Sequence, residues 1–237
     1  QNRNLDQLAA PHRLANGSVF VFEGANGEYL LRRYLDGQSS NVLDLSKALA
    51  AAGDEESLFV LDGASGVTRV GDDDGVTTKT LLFPRLNAGV AAGGGIETIA
   101  LGGNVVAWTE AYQASAGAFQ WCLYAANRDS KAILSFGSSV EGCAGKALLG
   151  VSSNYMLGVS VANDAWIAVT STQKITTVDL TTGSNKDISL GGNVPYVCWG
   201  DVVLSESHVF FFGGQTDPKQ APTGTALGCS LYRSKRD

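Results

Sequence analysis

Three carboxylates in this sequence each follow a run of apolar residues and are the side chains best suited to acid–base chemistry. They are Glu23, Asp62 and Glu110. If the runs are strands arranged around a common axis, these carboxylates lie at one end of that axis. Glycosidases use pairs of carboxylates as acid and as base or nucleophile, and such a pair works when its environments separate the two pKa values. We favour the simpler interpretation, in which each carboxylate begins the turn after its strand.

Consecutive aspartates suggest a second chemical role, the binding of a hard cation. Asp72, Asp73 and Asp74 precede a glycine, and clustered carboxylate oxygens suit calcium. The spacing of a recognised calcium loop is absent, so a solvated hairpin turn is the preferred interpretation. The chain has only two histidines, His12 and His208, which excludes most multi-histidine metal sites. We therefore expect no metal and no cofactor.

A hydroxyl lies beside an imidazole at Ser207 and His208. Neighbouring residues of a strand point to opposite faces of the sheet, so we expect no nucleophilic dyad from this pair. The sequence also lacks the Gly-x-Ser-x-Gly pattern of a nucleophile elbow. With no complete catalytic group in the sequence, we expect a protein without enzymatic activity.

Aromatic residues are the candidates for contacts with a partner or a ligand. Trp121 and Trp199 adjoin cysteines, and Tyr112 lies in a segment rich in small residues, 111–119. That segment and a second one, 215–228, have the composition of exposed loops, and loops on a rigid scaffold commonly carry binding sites. We predict partner contacts there, with Tyr112, Trp121 and Trp199 as candidate binding residues.

Composition restricts the class of protein and the kind of partner. The chain has 237 residues, of which 17% are charged and 44% hydrophobic, and a net charge of −6. Low charge with a high apolar content argues against intrinsic disorder, and the acidic balance gives no basic surface for nucleic acid or an anionic membrane. No apolar run approaches the roughly 20 residues of a membrane span. We expect a protein partner, with a glycan as the alternative.

Four cysteines indicate the compartment. Their even number permits two disulfides, and no Cys-x-x-Cys pair suggests zinc or redox chemistry. The strand pattern described below favours the local pairs Cys122–Cys143 and Cys198–Cys229. The first residue is Gln1 rather than a methionine, so we expect a processed N-terminus and a periplasmic, cell-surface or secreted protein. Four buried thiols in a cytosolic protein are the alternative.

A short pattern recurs along the chain and predicts strands. It consists of a polar or small residue, four mostly apolar residues and then a turn. The copies are 18–22, 57–61, 104–108, 165–169 and 208–212. A second strand-like stretch follows each copy and leads into a polar turn at residues 36, 74, 129, 183 and 237. The runs are rich in Val, Phe, Ile and Trp and are bounded by Gly, Asp and Asn, as strands are.

The repeat length and the order of its parts resemble those of a known family. Five copies in 237 residues give about 47 residues each, and propeller blades of four antiparallel strands use roughly 40 to 50. An apolar strand, a hairpin and a Leu-Tyr-Arg-like strand ending in Asp-Gly resemble the blades of Tol-type periplasmic propellers and related six-bladed extracellular propellers. The resemblance implies an all-β fold, a β-propeller of about five four-stranded antiparallel blades. A β-sandwich built from the same strands is the alternative.

The chain is predicted as one propeller domain, 1–237, with an N-terminal arm or closing strand at 1–13. The blades span about 14–56, 57–95, 96–145, 146–190 and 191–237. The fifth copy lacks an outer strand, and we expect Asn4–Leu14 to supply it and so remove an exposed edge. The competing interpretation makes these blades part of a larger propeller. One short helix is predicted over Leu45–Ala52, capped by Asp44 and ended by Gly53.

Two functions follow from these features. The first is a non-catalytic extracytoplasmic β-propeller that acts as a protein-binding or scaffolding module in an assembly. The second is a carbohydrate-binding or glycoside-hydrolysing propeller that uses the carboxylates at equivalent strand ends. The missing catalytic group and the long small-residue loops favour the first.

Overall fold

The computed structural model describes residues 11–25, 28–45, 48–73, 76–87, 97–115, 118–137, 139–152, 156–171, 173–190, 194, 196–198, 202–215 and 228–236. Its strands form five antiparallel sheets that follow one another along the chain. No helix long and apolar enough to cross a membrane occurs in the part of the chain just given.

The sheets contain four strands each. The first contains β1 (His12–Arg13), β2 (Val19–Ala25), β3 (Glu28–Leu35) and β4 (Gln38–Leu45). The second contains β5 (Ala48–Gly53), β6 (Ser57–Asp62), β7 (Gly66–Asp73) and β8 (Val76–Pro84). The third contains β9 (Ile99–Gly102), β10 (Val105–Ser115), β11 (Ala118–Asn127) and β12 (Leu149–Ser152). The fourth contains β13 (Met156–Ala162), β14 (Trp166–Ser171), β15 (Ile175–Asp179) and β16 (Asn185–Ile188). The fifth contains β17 (Tyr196–Val197), β18 (Val203–Leu204), β19 (His208–Gly214) and β20 (Ser230–Lys235).

The first four sheets run as simple antiparallel meanders, in which each strand pairs with the next one along the chain. The turn between β3 and β4 has positive φ at both Asp36 and Gly37, the backbone that a two-residue hairpin requires. The fifth sheet differs because β17 and β18 pair with the two ends of β19, at Gly213–Gly214 and Val209–Phe210. Together they form one interrupted strand, and β20 pairs with the other edge of β19.

Consecutive sheets pack face to face through buried apolar clusters. Phe20 and Leu31 of the first sheet pack on Leu58 and Val60 of the second. Between the second and third sheets, Phe59 and Leu61 pack on Val106 and Trp108. Between the third and fourth, Ala107 and Leu123 pack on Ile167 and Val169. Between the fourth and fifth, Ala168 and Ile175 pack on Val209 and Phe211. We call the face of a sheet that packs on the following sheet its forward face, and the opposite one its backward face. Side chains that alternate along each strand supply both faces, which explains the nearly continuous apolar runs.

The arrangement is that of a β-propeller, and the prediction of an all-β propeller with about five four-stranded antiparallel blades is confirmed. The alternative β-sandwich would need two facing sheets rather than five in series. Residues 4–10 of the predicted closing segment lie outside the described residues. His12 and Arg13 form β1 and pair with Phe20 and Val19. These two residues therefore belong to the first sheet and not, as predicted, to the outer edge of the fifth.

The predicted helix is wrong. Asp44 pairs with Leu30 in β4, and the alanine-rich stretch forms β5, which pairs with β6. Ala50 is fully buried in the cluster between the second and third sheets. Alanine has the highest helix propensity, but propensity contributes little free energy per residue, and packing in a narrow space between two sheets outweighs it.

Candidate functional site

The three carboxylates singled out in the sequence lie on the same face of successive sheets. Asp62 follows Leu58 and Val60 on the backward face of the second sheet, where alternate residues of β6 point. Glu110 follows Val106 and Trp108 on the backward face of the third sheet in the same way. Glu23 has the equivalent position on β2 of the first sheet. Their surroundings, however, differ at each site.

Asp62 shapes a turn. Its side chain is buried, and Oδ1 accepts hydrogen bonds from the backbone N–H groups of Ala64 and Ser65, each at 2.8 Å. An aspartate that accepts from the backbone two and three residues ahead closes the turn between its strand and the next. The carboxylate of Asp62 therefore stabilises the β6–β7 hairpin.

Glu23 takes part in a local ion pair at the surface of the first sheet. Its Oε2 lies 2.9 Å from Nε of Arg32, and the hydroxyl of Tyr34 donates a hydrogen bond to its other oxygen. That hydrogen bond raises the pKa of the Tyr34 hydroxyl above its ordinary value. Glu23, Arg32 and Tyr34 all lie on the backward face of the first sheet. These contacts therefore do not connect Glu23 to Asp62 or Glu110.

Glu110 is the most enclosed of the three, since it is fully buried. Its Oε2 accepts from the backbone N–H of Asn87 at 2.8 Å and from its side-chain amide at 2.9 Å. The indole N–H of Trp108 donates to Oε1 at 3.1 Å, and the backbone N–H of Leu86 donates to Oε2 at 3.1 Å. These hydrogen bonds satisfy both oxygens of the buried carboxylate and fix its position between the connection and the third sheet.

The donors to Glu110 belong to a closed network. The amide of Asn87 also donates to the hydroxyl of Tyr124 at 2.7 Å, and that hydroxyl donates to the carbonyl of Ala144 at 2.8 Å. The backbone N–H of Ala144 in turn donates to Oδ1 of Asn87 at 3.0 Å. Burial raises the pKa of Tyr124 to about 12, so its hydroxyl keeps the proton that it donates.

Arg85 and Glu97 form a second ion pair beside this network. Two guanidinium nitrogens of Arg85 contact both carboxylate oxygens of Glu97, with Nη1 and Oε2 at 2.7 Å. Glu97 raises the pKa of Arg85 most, and Glu110 and Asp62 raise it further. Oε1 of Glu97 also accepts from the backbone N–H of Ala111 at 2.9 Å. The ion pair therefore ties the two described ends of the connection between β8 and β9 to the third sheet.

Sequence reasoning missed Arg85, Asn87 and Glu97. The available signal was their position, because they flank the glycine-rich stretch 88–96. Polar residues at the ends of a connection between two buried strands need partners. Here those partners are Glu110 and one another.

Of the three consecutive aspartates considered for calcium, the structure describes the side chain of Asp72. Asp72 faces the first sheet, where its Oδ2 pairs with Nε of Arg33 and accepts from the hydroxyl of Ser18. Burial alone would raise the pKa of Asp72, but the hydrogen bond from Ser18 and the charge of Arg33 outweigh it and lower the pKa. The side chain of Asp73 and the whole of Asp74 lie outside the described residues. Nowhere in the described ranges do three His, Cys, Asp or Glu side chains form a group that could hold a metal ion.

The candidate binding aromatics are distributed differently from the expectation. Trp121 is fully buried in the cluster between the third and fourth sheets, so we now interpret it as a core residue rather than a partner contact. Tyr112 lies on β10, where its backbone pairs with Gln120; its side chain and all of Trp199 lie outside the described residues.

The serine and histidine do meet, contrary to the expectation. Oγ of Ser207 lies 2.8 Å from Nδ1 of His208, because Ser207 belongs to the turn before β19 and not to the strand itself. The contact is exposed at the surface. A local hydrogen bond of this kind does not make a nucleophile.

Both disulfides have the predicted pairing. Cys122 on β11 is bonded to Cys143 in the connection to β12. Cys198, in the interruption between β17 and β18, is bonded to Cys229 just before β20. The first bond thus joins a strand to an irregular segment of the same sheet, and the second joins two irregular segments of the fifth sheet.

An exposed apolar surface lies on the forward face of the fifth sheet. Phe212 and Leu231 are directly opposite each other on β19 and β20 and are 42% and 62% exposed. Val203, opposite Phe210 on the same face, is 57% exposed. Arg233, the β20 neighbour of Phe210, adds positive charge. We refer to Val203, Phe210, Phe212 and Leu231 as the fifth-sheet surface.

Comparisons with known proteins give structural likenesses. No family model matches the sequence, and no curated protein does so. The chain is similar to the extracellular domain of BT4673 from B. thetaiotaomicron, with 13% identity and a TM-score of 0.49 over 87% of this chain and 25% of that one. It is similar to the computationally designed Ika4 protein, with 12% identity and a TM-score of 0.46 over 79% and 90%. The β-propeller domain of the Trilobed protease from Pyrococcus furiosus shows 10% identity and a TM-score of 0.37 over 97% and 83%. Likenesses of this degree do not bear on function.

Proposed function

We propose that this chain is a non-catalytic extracytoplasmic β-propeller that binds protein and serves as a recognition or scaffolding module. The fifth-sheet surface carries the proposal. Its exposed side chains Phe212, Leu231 and Val203 form a contiguous apolar patch on rigid strands. Exposed apolar patches beside polar or charged residues are typical of protein interaction sites.

The carboxylates support a non-catalytic role. Asp62 closes a turn, and Glu23 is paired with Arg32. Glu110 accepts hydrogen bonds from Leu86, Asn87 and Trp108. A general acid or base has to exchange protons with a substrate. Carboxylates that already serve backbone groups and ion pairs in the fold are poorly suited to that exchange.

The disulfides support an extracytoplasmic location, since all four cysteines are paired and disulfides persist in oxidising compartments. We extend the proposal to a periplasmic, cell-surface or secreted protein of the Tol-type kind, which the sequence resembles. The disulfide state of protein isolated from its source under thiol-blocking conditions tests this part.

The test of binding is native mass spectrometry of the chain isolated from its source, with and without reductant. We expect a stoichiometric complex that contains this chain and whose yield falls when Leu231→Asp replaces the wild type. Leu81→Asp is the matched control, because Leu81 is a leucine of the second sheet that is 50% exposed. Recovery of the wild-type chain only as a free monomer would contradict the proposal.

The second candidate is a carbohydrate-binding or glycoside-hydrolysing propeller, and the shared position of Glu23, Asp62 and Glu110 on backward faces favours it. It requires Glu23→Gln or Asp62→Asn to abolish glycan binding or hydrolysis without unfolding the protein. A glycan array and a glycosidase panel check this. Under the proposed protein-binding function, both give no signal for the wild type.

A further inference from the structure

The four interfaces between sheets share one construction. In each, the forward face of one sheet packs on the backward face of the next, as Phe59 packs towards Trp108 and Ala168 towards Val209. The fifth-sheet surface is also the forward face of a sheet, with apolar side chains on it. Its large exposed fractions at Val203, Phe212 and Leu231 show that the first sheet of the same molecule does not cover these side chains in the structure.

The surface that fits a forward face is a backward face. Within the chain, backward faces present β-branched and aromatic side chains, such as Val60, Ile167 and Phe211. The first sheet offers a backward face with Val19 and Val21 on β2, next to Tyr34 and Arg32 on β3. Both valines are only half-buried, so apolar area is available there for a further contact.

We propose that the fifth-sheet surface binds the backward face of the first sheet of a second copy of this chain, head to tail. The proposal rests on the proposed function and names its partner. It continues the series of interfaces already present, with apolar burial as the driving force. A head-to-tail contact is heterologous, so it gives a ring if the rotation closes and a longer chain if it does not.

Sedimentation velocity of the purified chain over a wide concentration range tests the proposal. We expect the wild type to form dimers or larger species, with a mass that rises with concentration. Leu231→Asp on one face and Val21→Asp on the other should each weaken association by at least about tenfold, since a charge must then be buried against apolar side chains. Leu81→Asp, outside both faces, should associate like the wild type.

Mixing the two variants gives the sharpest result. Leu231→Asp keeps an intact first sheet, and Val21→Asp keeps an intact fifth sheet, so the mixture retains one productive interface. We expect the mixture to form a dimer that grows no further. Circular dichroism of each variant verifies folding, and Leu231→Ser and Val21→Ser replace any variant that does not fold.

Two outcomes would overturn the inference. One is a wild-type chain that stays monomeric at every concentration. The other comes from a chain that carries both Val21→Cys and Leu231→Cys, if oxidation joins the two cysteines within one molecule, because the surface then closes on its own first sheet. In either case, a complex with a different protein that depends on Leu231 in the source preparation would leave the proposed protein-binding function intact.

Discussion

Arg128, which follows β11 of the third sheet, forms an ion pair with Asp54, which lies in the turn before β6 of the second sheet. Its position recurs from sheet to sheet. The first residues of β6, β10 and β19 pair with Gly71, Asn127 and Lys235 of the next strand. Asp72, Arg128 and Arg236 are the residues that directly follow these three partners in the chain. Asp72 pairs with Arg33 of the preceding sheet, and the Arg236 guanidinium lies 4.0 Å from the ring centre of Trp166 of the preceding sheet. One position thus joins neighbouring sheets through two ion pairs, in which it supplies the cation once and the anion once, and through one cation–π contact.

Replacement of Arg128 by alanine is expected to lower the free energy of unfolding by about 1 to 3 kcal/mol, because a partly buried charge-assisted hydrogen bond to Asp54 is lost. Urea denaturation followed by fluorescence measures the change. Lys79→Ala is the control, since Lys79 is exposed on β8, and it should stay within about 0.5 kcal/mol of the wild type. Equal effects of the two substitutions would argue against the importance of this position.

Acid is expected to destabilise the protein through aspartates at these interfaces. Burial raises the pKa of Asp54, but hydrogen bonds from Arg128 and from the backbone of Glu56 and Ser57 outweigh it and place the pKa below its ordinary value of 3.8. Asp72 behaves in the same way. Below an ordinary pKa, the unfolded chain binds protons that the folded chain does not, so stability falls as the pH decreases.

This loss should begin near pH 4 and deepen as the pH falls through the lowered values. Urea titrations at a series of pH values from neutral downward measure it. In Asp72→Asn, the slope of stability against pH should be shallower below pH 4, because one of the contributing groups no longer titrates. An unchanged slope would show that Asp72 does not contribute.

Glu110→Gln is expected to cost about 2 to 4 kcal/mol of folding stability. The amide that replaces one carboxylate oxygen can only donate, and it would face the N–H groups of Asn87 or the indole of Trp108. Thermal and urea unfolding measure the loss, with Glu55→Gln as an exposed control. A fully stable variant would indicate that the site holds Glu110 for a purpose other than the fold.

Loss of the Cys122–Cys143 disulfide, whose cysteines are 21 residues apart, is expected to destabilise the chain by about 3 kcal/mol, the loop-closure value for that separation. The double variant Cys122→Ala/Cys143→Ala is compared with the wild type in urea under non-reducing conditions. Cys198→Ala/Cys229→Ala, with a separation of 31 residues, should cost slightly more. If neither variant differs from the wild type, both segments are held by packing alone.

The repeated apolar runs were enough to predict the second and third strands of the sheets, and in the second, third and fourth sheets these strands are buried on both faces. The first strand of the second sheet was harder to recognise. Ala48–Gly53 carries no β-branched side chain, and only its place between two sheets makes it a strand. The disulfide pairing could be predicted because both bonds are local within one sheet.

The polar network could not be predicted in the same way. Glu110 was visible as a carboxylate after a strand, but its donors at Leu86 and Asn87 come from a connection more than 20 residues earlier in the chain. Burial of Trp121 depends on the fourth sheet, which packs on the third. Contacts between sheets follow from the order of the sheets, and local sequence patterns do not contain that order.

The network around Glu110 also has a consequence for local unfolding. If residues 85–87 separated from the third sheet alone, Glu110 would lose the donors at Leu86 and Asn87, and Glu97 would lose Arg85. A carboxylate that stays buried but loses hydrogen-bond donors costs free energy. Separation of residues 85–87 from the third sheet is therefore suppressed unless the second and third sheets open together. The backbone amides of Asn87 and Ala111 should therefore exchange with solvent hydrogen only through joint unfolding of the second and third sheets, as a single cooperative unit.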